Sequence, residues 1–546
     1  MKRRFGVVLC WALGLIGGVP GLTSSALARQ VIWKHEYPDV LPTMDAPDTT
    51  VGVAASRTHA IVGGKRFYSP GCSVFQLVQY YYPSGPNQTG TIASELYWPA
   101  GDPTGQREVI AMTATETLNS DIRIILTGTV YNIAGYLRPA TICVATNGIN
   151  PSTGTHDALK LEWSRIEDTD AEFPGDQTPV AIHNDGMYVA LVIQSGGDII
   201  TRVYSLADGQ NVMTTQSWKQ TISTVNATAV GVALVPTTHG PGVVVGATAP
   251  DPDAPGTQAI TIYGYQVLKQ DAIPSGTLLG SPVRLAKVNA TTTDIAKAMA
   301  ATPAGAPSGV VAITGHRTNG AVQDWITAAL GVQARAAGQT DELYKMWQEG
   351  FSNGGNIDIP TAITVYDVSA GFTFGNLRIG VTGTTKETTQ GATTGIVAAG
   401  YFVSNPPPPF TIQREWFEVW NNEEPNYESN DFSTSIVVAT MPSIEGDVDT
   451  RMYVAGGSEK SVAGVPNIDS ATIAFDARSY TVAPSFRRLW HQVYHGGVDG
   501  DDFGRGVAAR EMRPTGATQD APALFVTGTT NGPTWGVDWL TSRLIP

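Results

Sequence analysis

Short apolar runs fill the chain, and two kinds alternate along it. Residues 73–80 (SVFQLVQY), 199–204 (IITRVY) and 324–330 (DWITAAL) exchange apolar and polar positions with the two-residue period of a half-buried strand. Between them lie more solidly apolar runs that stop at glycine. These are Ala60–Gly63, Ile124–Gly128, Val243–Gly246, Val311–Gly315, Ile379–Gly383, Met452–Gly456 and Phe525–Gly528, with an eighth, Tyr188–Ile193, that ends at Gly196. A tryptophan keeps the same beat on a short strand between units: Trp33, Trp98, Trp163, Trp218, Trp347, Trp416 and Trp490. The corresponding place near Arg284 and Leu285 has none.

Two markers sharing one period, roughly fifty to seventy-five residues, are the signature of a repeat architecture. The closing stretch, Leu489–Pro546, shows one unit most fully. A strand carrying Trp490 and Tyr494 leads through a Gly/Asp loop to Gly506–Ala509, then Leu524–Thr527, then the alternating Val537–Thr541. Four strands make one antiparallel sheet with two apolar faces, which it cannot cover alone. Units arranged radially cover each other. The pattern therefore predicts an all-β fold, a single eight-bladed β-propeller of four-stranded antiparallel blades, with seven blades as the alternative.

The phase of the repeat predicts how the ring closes. The chain enters on a Trp strand, Val31–Tyr37, and leaves on the strand after a Gly marker, Val537–Leu540. If the Trp strand is outermost, the last blade borrows its fourth strand from the N-terminal end. Two Ala-rich stretches suit helix on propensity. The register calls for a strand over 294–301, and a short helix is expected near Gln339–Leu343. Asn405–Phe410, with four consecutive prolines, reads as a stiff surface connection.

Composition adds limits. The 59 glycines, 35 prolines and only 15% charged residues fit many strands and tight turns rather than helical bundles. The formal net charge is -14, with no basic cluster to offset it, which excludes nucleic acid as an expected partner. Lys2-Arg3-Arg4, the apolar Phe5–Leu22 and Ala26-Leu27-Ala28 have the three parts of an export signal. The expected organisation is a signal peptide over 1–28 and a propeller over 29–546, secreted, periplasmic or on the cell surface. No further run is long enough to span a bilayer. Cleavage would leave Cys72 and Cys143, which could form a disulfide in an oxidising compartment or stay as separate buried thiols.

Candidate chemistry is sparse. Gly350-Phe351-Ser352-Asn353-Gly354 matches a nucleophile-elbow pattern but lacks a helix after it, so a chance loop is the better reading. The eight histidines show no zinc-ligand spacing; His491 and His495 flank one strand and read as surface residues. Carboxylates do gather in loops that lead into the next unit: Asp45 and Asp48, Asp176, Asp358, Glu428 and Asp431, and Asp499, Asp501 and Asp502. In a ring they would line the mouth of the central channel as an acidic rim. Asp499, Asp501 and Asp502 are then candidate metal ligands, with Ca²⁺ the cation such a site would favour. The competing reading is that Asp simply favours turns. No other cofactor is expected.

With these residues in view, a family resemblance can be stated. Tyr494–Gly497, Asp501-Asp502, Gly506–Ala508, Leu524–Thr530 and Asp538-Trp539 resemble the bacterial SBBP-type β-propeller repeat. The match is fullest in the last unit and partial in those marked by Trp347 and Trp416. That resemblance implies an exported bacterial propeller and no particular activity. Asp208-Gly209 before Trp218 is similar to the eight-bladed quinoprotein-like propellers, including outer-membrane assembly scaffolds, although the haem-binding and paired-cysteine motifs are missing. The function expected is a non-enzymatic binding or scaffold module for a protein, glycan or envelope component. The alternative is an extracytoplasmic enzyme, polysaccharide-acting or quinoprotein-like, with its site at the channel mouth.

Overall fold

The computed structural model describes residues 31–37, 48–55, 59–69, 72–81, 91–99, 107–116, 122–132, 135–149, 156–167, 175–209, 219–223, 226–238, 240–267, 276–302, 309–335, 339–352, 357–367, 377–386, 394–403, 412–421, 430–442, 448–462, 465–478, 487–494, 501–510, 523–532 and 536–544. Among these residues there is no helix. Strand β1 (Val31–Tyr37) stands apart from its sequence neighbours. Blade 1 follows as β2 (Thr49–Ala55), β3 (His59–Ser69), β4 (Cys72–Tyr81) and β5 (Thr91–Trp98); blade 2 is β6 (Arg107–Glu116), β7 (Ile122–Tyr131), β8 (Leu137–Ile149) and β9 (His156–Ile166). Blade 3 holds β10 (Gln177–Asn184), β11 (Tyr188–Ser195), β12 (Asp198–Ser205) and β13 (Lys219–Ser223), and blade 4 holds β14 (Thr228–Thr237), β15 (Gly240–Pro250), β16 (Gln258–Gln266) and β17 (Val283–Arg284). Blade 5 is β18 (Thr293–Ala301), β19 (Val310–Asn319), β20 (Val322–Gln333) and β21 (Glu342–Phe351). Blade 6 is β22 (Asp358–Asp367), β23 (Leu377–Lys386), β24 (Thr394–Val403) and β25 (Ile412–Trp420). Blade 7 runs β26 (Asp431–Pro442), β27 (Val448–Val462), β28 (Val465–Asp476) and β29 (Arg488–Tyr494). The last three strands are β30 (Phe503–Arg510), β31 (Ala523–Gly532) and β32 (Gly536–Leu544).

These strands make eight four-stranded antiparallel sheets. Seven are sequential meanders; in the eighth, β1 lies beside β32 in the order β1-β32-β31-β30. The first strand of each blade packs against the first strand of the next, and β30 packs against β2, so the sheets close into a propeller ring. Closure by the N-terminal strand follows the reading from phase, with Val31 opposite Leu544 and Tyr37 opposite Trp539. The short helix expected near Gln339–Leu343 is absent. Residues from Glu342 onward are strand, because pairing with β20 from Gln333 to Trp325 satisfies their backbone groups. The strand expected over 294–301 is β18.

Packing explains why the repeat is needed. Each apolar cluster among the described residues straddles two blades, and none lies within a single sheet. Blades 3 and 4 share one through Val192, Val203, Val245 and Tyr265. Blades 5 and 6 share another around Trp325, Leu377 and Tyr401. The tryptophan marker serves these seams. Trp163 of blade 2 sits in the cluster of blade 3 and donates its indole N–H to the Leu206 carbonyl at 3.0 Å. Trp347 meets Tyr401 of the next blade at 5.0 Å, and Trp416 stacks on Phe475 at 6.0 Å. Blade 4, which lacks the tryptophan, fills its seam with Leu279 and Leu285 against Leu343 of blade 5. Burying one such leucine or tryptophan body contributes about 2 kcal/mol.

Candidate functional site

A β-bulge occurs at the same point in the first strand of all eight blades. It falls between Thr50 and Gly52, Val109 and Ala111, Pro179 and Ala181, and Ala229 and Gly231 in blades 1 to 4. In blades 5 to 8 it falls between Ala296 and Ala298, Pro360 and Ala362, Ser433 and Ser435, and Gly504 and Gly506. Two residues before the bulge, blades 1, 5, 6, 7 and 8 carry Asp48, Asp294, Asp358, Asp431 and Asp502; blades 2, 3 and 4 carry Arg107, Gln177 and Ala227. All five of those carboxylates are buried, none more than 1% exposed.

Their partners belong to the fold. Asp48 Oδ1 accepts the Phe67 N–H at 2.7 Å, and Asp358 Oδ1 accepts the Thr385 hydroxyl at 2.5 Å. Asp294 receives two N–H groups of the Arg317 guanidinium, both at 2.8 Å, on the adjacent strand. The Asp502 N–H donates to the Ile468 carbonyl of blade 7 at 2.5 Å, while Asp501, half-buried, accepts the Ile468 N–H at 3.1 Å. The acidic rim read from the sequence is thereby corrected for Asp48, Asp358, Asp431 and Asp502, which are buried; the Asp48 and Asp358 carboxylates tie the entry of the first strand to the second. Asp176 is exposed, and accepts the Leu137 N–H at 2.9 Å. Asp45, Glu428 and Asp499 lie outside the described residues. Among the described residues no group of three His, Cys, Asp or Glu side chains could hold a metal ion.

Of the two readings of the cysteines, the disulfide is corrected: Cys72 and Cys143 are separate free thiols. Cys72 begins β4 in blade 1. Cys143 is buried in blade 2 and packs with Trp163, Val189 and Leu191, on the side that faces blade 3 and away from blade 1. Burial, with the Glu162 carboxylate 3.8 Å away, pushes its pKa up to about 12. In the Gly350–Gly354 motif, Gly350 and Phe351 end β21 and Ser352 after them is exposed, while Asn353 and Gly354 lie outside the described residues; the next described element is strand β22. His491 is exposed on β29, 5.5 Å from the Trp420 ring; His495 lies outside the described residues.

One exposed apolar edge was not anticipated. Successive antiparallel strands reverse direction, so the start of β6, the end of β7, the start of β8 and the end of β9 meet at one end of blade 2. There Ile110, Tyr131, Tyr136 and Ile166 are 37%, 49%, 44% and 46% exposed. The Tyr131 and Tyr136 pair brackets the β7–β8 turn, in which the Tyr136 N–H donates to Asn132 Oδ1 at 2.9 Å and Gly135 has φ +81°. Arg138 is buried beneath, its guanidinium 5.4 Å from the Tyr136 ring and donating to the Gly175 carbonyl at 2.5 Å. At its flanks stand Glu108, half-exposed and bonded to Lys65 of blade 1 at 2.8 Å, and Asp176. Two large aromatics on either side of a turn, Y-N-I-A-G-Y, was the signal available in the sequence.

No protein-family model matches the chain, and no curated protein matches it in sequence. Solved structures do resemble it in outline. Drosophila Plexin A, in a complex with Semaphorin 1b, is 8% identical, with 95% of this chain and 87% of that one covered and a TM-score of 0.40. Chaetomium thermophilum Sqt1, bound to the N-terminus of ribosomal protein L10, is 11% identical, with 92% and 98% covered and a TM-score of 0.36. The polysaccharide lyase Uly1 is 8% identical, with 93% and 92% covered and a TM-score of 0.35. At these values the likeness reaches no further than the β-propeller fold.

Proposed function

We propose that the protein is an exported binding or scaffold module, built on a repeat of the SBBP type, and that its partner docks on the end of blade 2 that carries the β7–β8 turn. The observation that carries this reading is the grouping of Ile110, Tyr131, Tyr136 and Ile166, four of the eleven large exposed apolar side chains among the described residues, on one blade end. Aromatic side chains supply large contact area at little cost in conformational entropy, which makes them the usual anchors of protein recognition. The exposed Asp176 carboxylate at its flank suits a protein or glycan-bearing component with a basic group beside an apolar centre.

Four of the carboxylates the sequence brought forward for the enzyme alternative, Asp48, Asp358, Asp431 and Asp502, are buried. The test uses the full chain with a photoreactive phenylalanine at position 131, expressed in its native host and irradiated in the envelope fraction. A single crosslinked partner that disappears in Tyr136→Ser is expected. The same crosslink from a residue on the far side of the ring, such as position 417, would contradict the reading.

A further inference from the structure

Strand β1 and the ring it completes are held in different ways. β1 is paired along one edge only, to β32, over Val31–Tyr37. Three other strands pack across this seam. β30, β31 and β32 all lie against β2. Phe525 of β31 enters the cluster of Ala60, Val62, Val78 and Tyr80 of blade 1. At Gly506 the backbones of β30 and β2 come so close that a Cβ would sit 3.2 Å from the Gly52 Cα. Blade 8 therefore reaches blade 1 through its three C-terminal strands, and the β1 backbone pairs along the outer edge of β32.

We propose that β1 is an exchangeable latch. Residues 31–37 leave and re-enter the edge of β32 while the ring stays closed through β30–β32 against β2, and the exposed edge accepts an extended strand of the same sequence from a second copy. An unpaired strand edge presents a row of free N–H and C=O groups, which is the template for strand addition. Antiparallel register with β32 selects a strand with the sequence of β1 itself.

The test keeps the full chain and places a protease site within 38–47. After cutting, a fluorescein-labelled peptide of residues 29–38 is added and its anisotropy followed. The latch predicts that the cut protein keeps its β-sheet circular dichroism and takes up the labelled peptide, while a peptide of the same composition in scrambled order is refused. A cut chain that unfolds, or one that stays folded and never exchanges, overturns the proposal. Hydrogen–deuterium exchange on the uncut protein gives a second reading. Peptides covering 31–37 should lose protection well before those covering 503–510 and 523–532; equal protection contradicts the latch.

Discussion

Blades 5 to 8 and blades 3 and 4 use the same bulge with different residues around it. In blades 5, 6, 7 and 8 the residue opposite the bulge is Gly315, Gly383, Gly456 or Gly528, and a Cβ there would collide with the carbonyl of Ile295, Ile359, Phe432 or Phe503. Each of those blades also has the buried aspartate two residues before the bulge. In blades 3 and 4 the facing residues are Ile193 and Ala247, and Gln177 and Ala227 replace the aspartate. A bulge can therefore form without the pair, and where the pair is present the two backbones come close enough to exclude a side chain. The bulge itself re-aims residues toward the neighbour. The Thr361 and Ser433 hydroxyls meet at 2.6 Å, and the Thr434 hydroxyl donates to the Gly504 carbonyl at 2.5 Å, each across a seam.

The largest expected break comes from stripping an aspartate of its partner. Arg317→Ala leaves Asp294 as a buried carboxylate without its guanidinium and should lower the unfolding free energy by about 3–5 kcal/mol in urea titrations. Adding Asp294→Ala should recover part of the loss, because blade 4 holds its strand with Ala227 at that position. Next in size, Gly456→Ala should cost about 2–3 kcal/mol by overpacking against the Phe432 carbonyl. Ala247→Gly in blade 4 should cost about 1 kcal/mol or less, since no close approach depends on it. Equal effects at the two positions would remove the distinction between the two kinds of blade.

Much of this was legible in advance, for a physical reason. Strand period, the glycine stops and the tryptophan beat are local patterns repeated many times, and repetition raised them above chance. What each marker does was hidden, because the cause lies in a neighbouring strand or blade. The glycine marker mixes two constraints. Gly128, Gly315, Gly383, Gly456 and Gly528 face the bulge, whereas Gly63 and Gly246 make room for side chains of the next blade, Met112 at 2.8 Å and Ile313 at 2.7 Å from a would-be Cβ. The aspartates were visible at the right places with the wrong orientation. A loop aspartate and a buried strand-entry aspartate look alike in one dimension, and only the backbone register puts Asp294 beside Arg317. The exposed tyrosines of blade 2 went unnoticed because single aromatics are common in strands; what distinguishes Tyr131 and Tyr136 is that they flank one turn.

The divergent half also holds a pH-sensitive seam. His183 of blade 3 accepts the Leu234 N–H of blade 4 on its Nδ1 at 3.2 Å, and burial pushes its pKa down to about 4. His316 in blade 5 is held down to about 4 as well, by burial and by Lys297. Between the ordinary histidine value of about 6.5 and 4 the unfolded chain binds more protons than the folded one. Stability should therefore fall as pH drops through that window and level off below it, a trend that His183→Asn should flatten in urea midpoints measured from pH 7 to 4. The smallest effect on stability belongs to the proposed docking edge: Tyr131→Ser with Tyr136→Ser should stay within about 0.5 kcal/mol while abolishing partner binding.

The orientation of the aspartates is open to direct measurement. Carbodiimide-mediated labelling of carboxylates in the folded protein, resolved by mass spectrometry, reads the solvent access of each one. Asp253, 83% exposed, and Asp176 should label fast, and Asp48, Asp294, Asp358, Asp431 and Asp502 should stay unlabelled until the chain unfolds. Labelling of those five at the rate of Asp253 would put them on an open acidic rim and contradict the account given above.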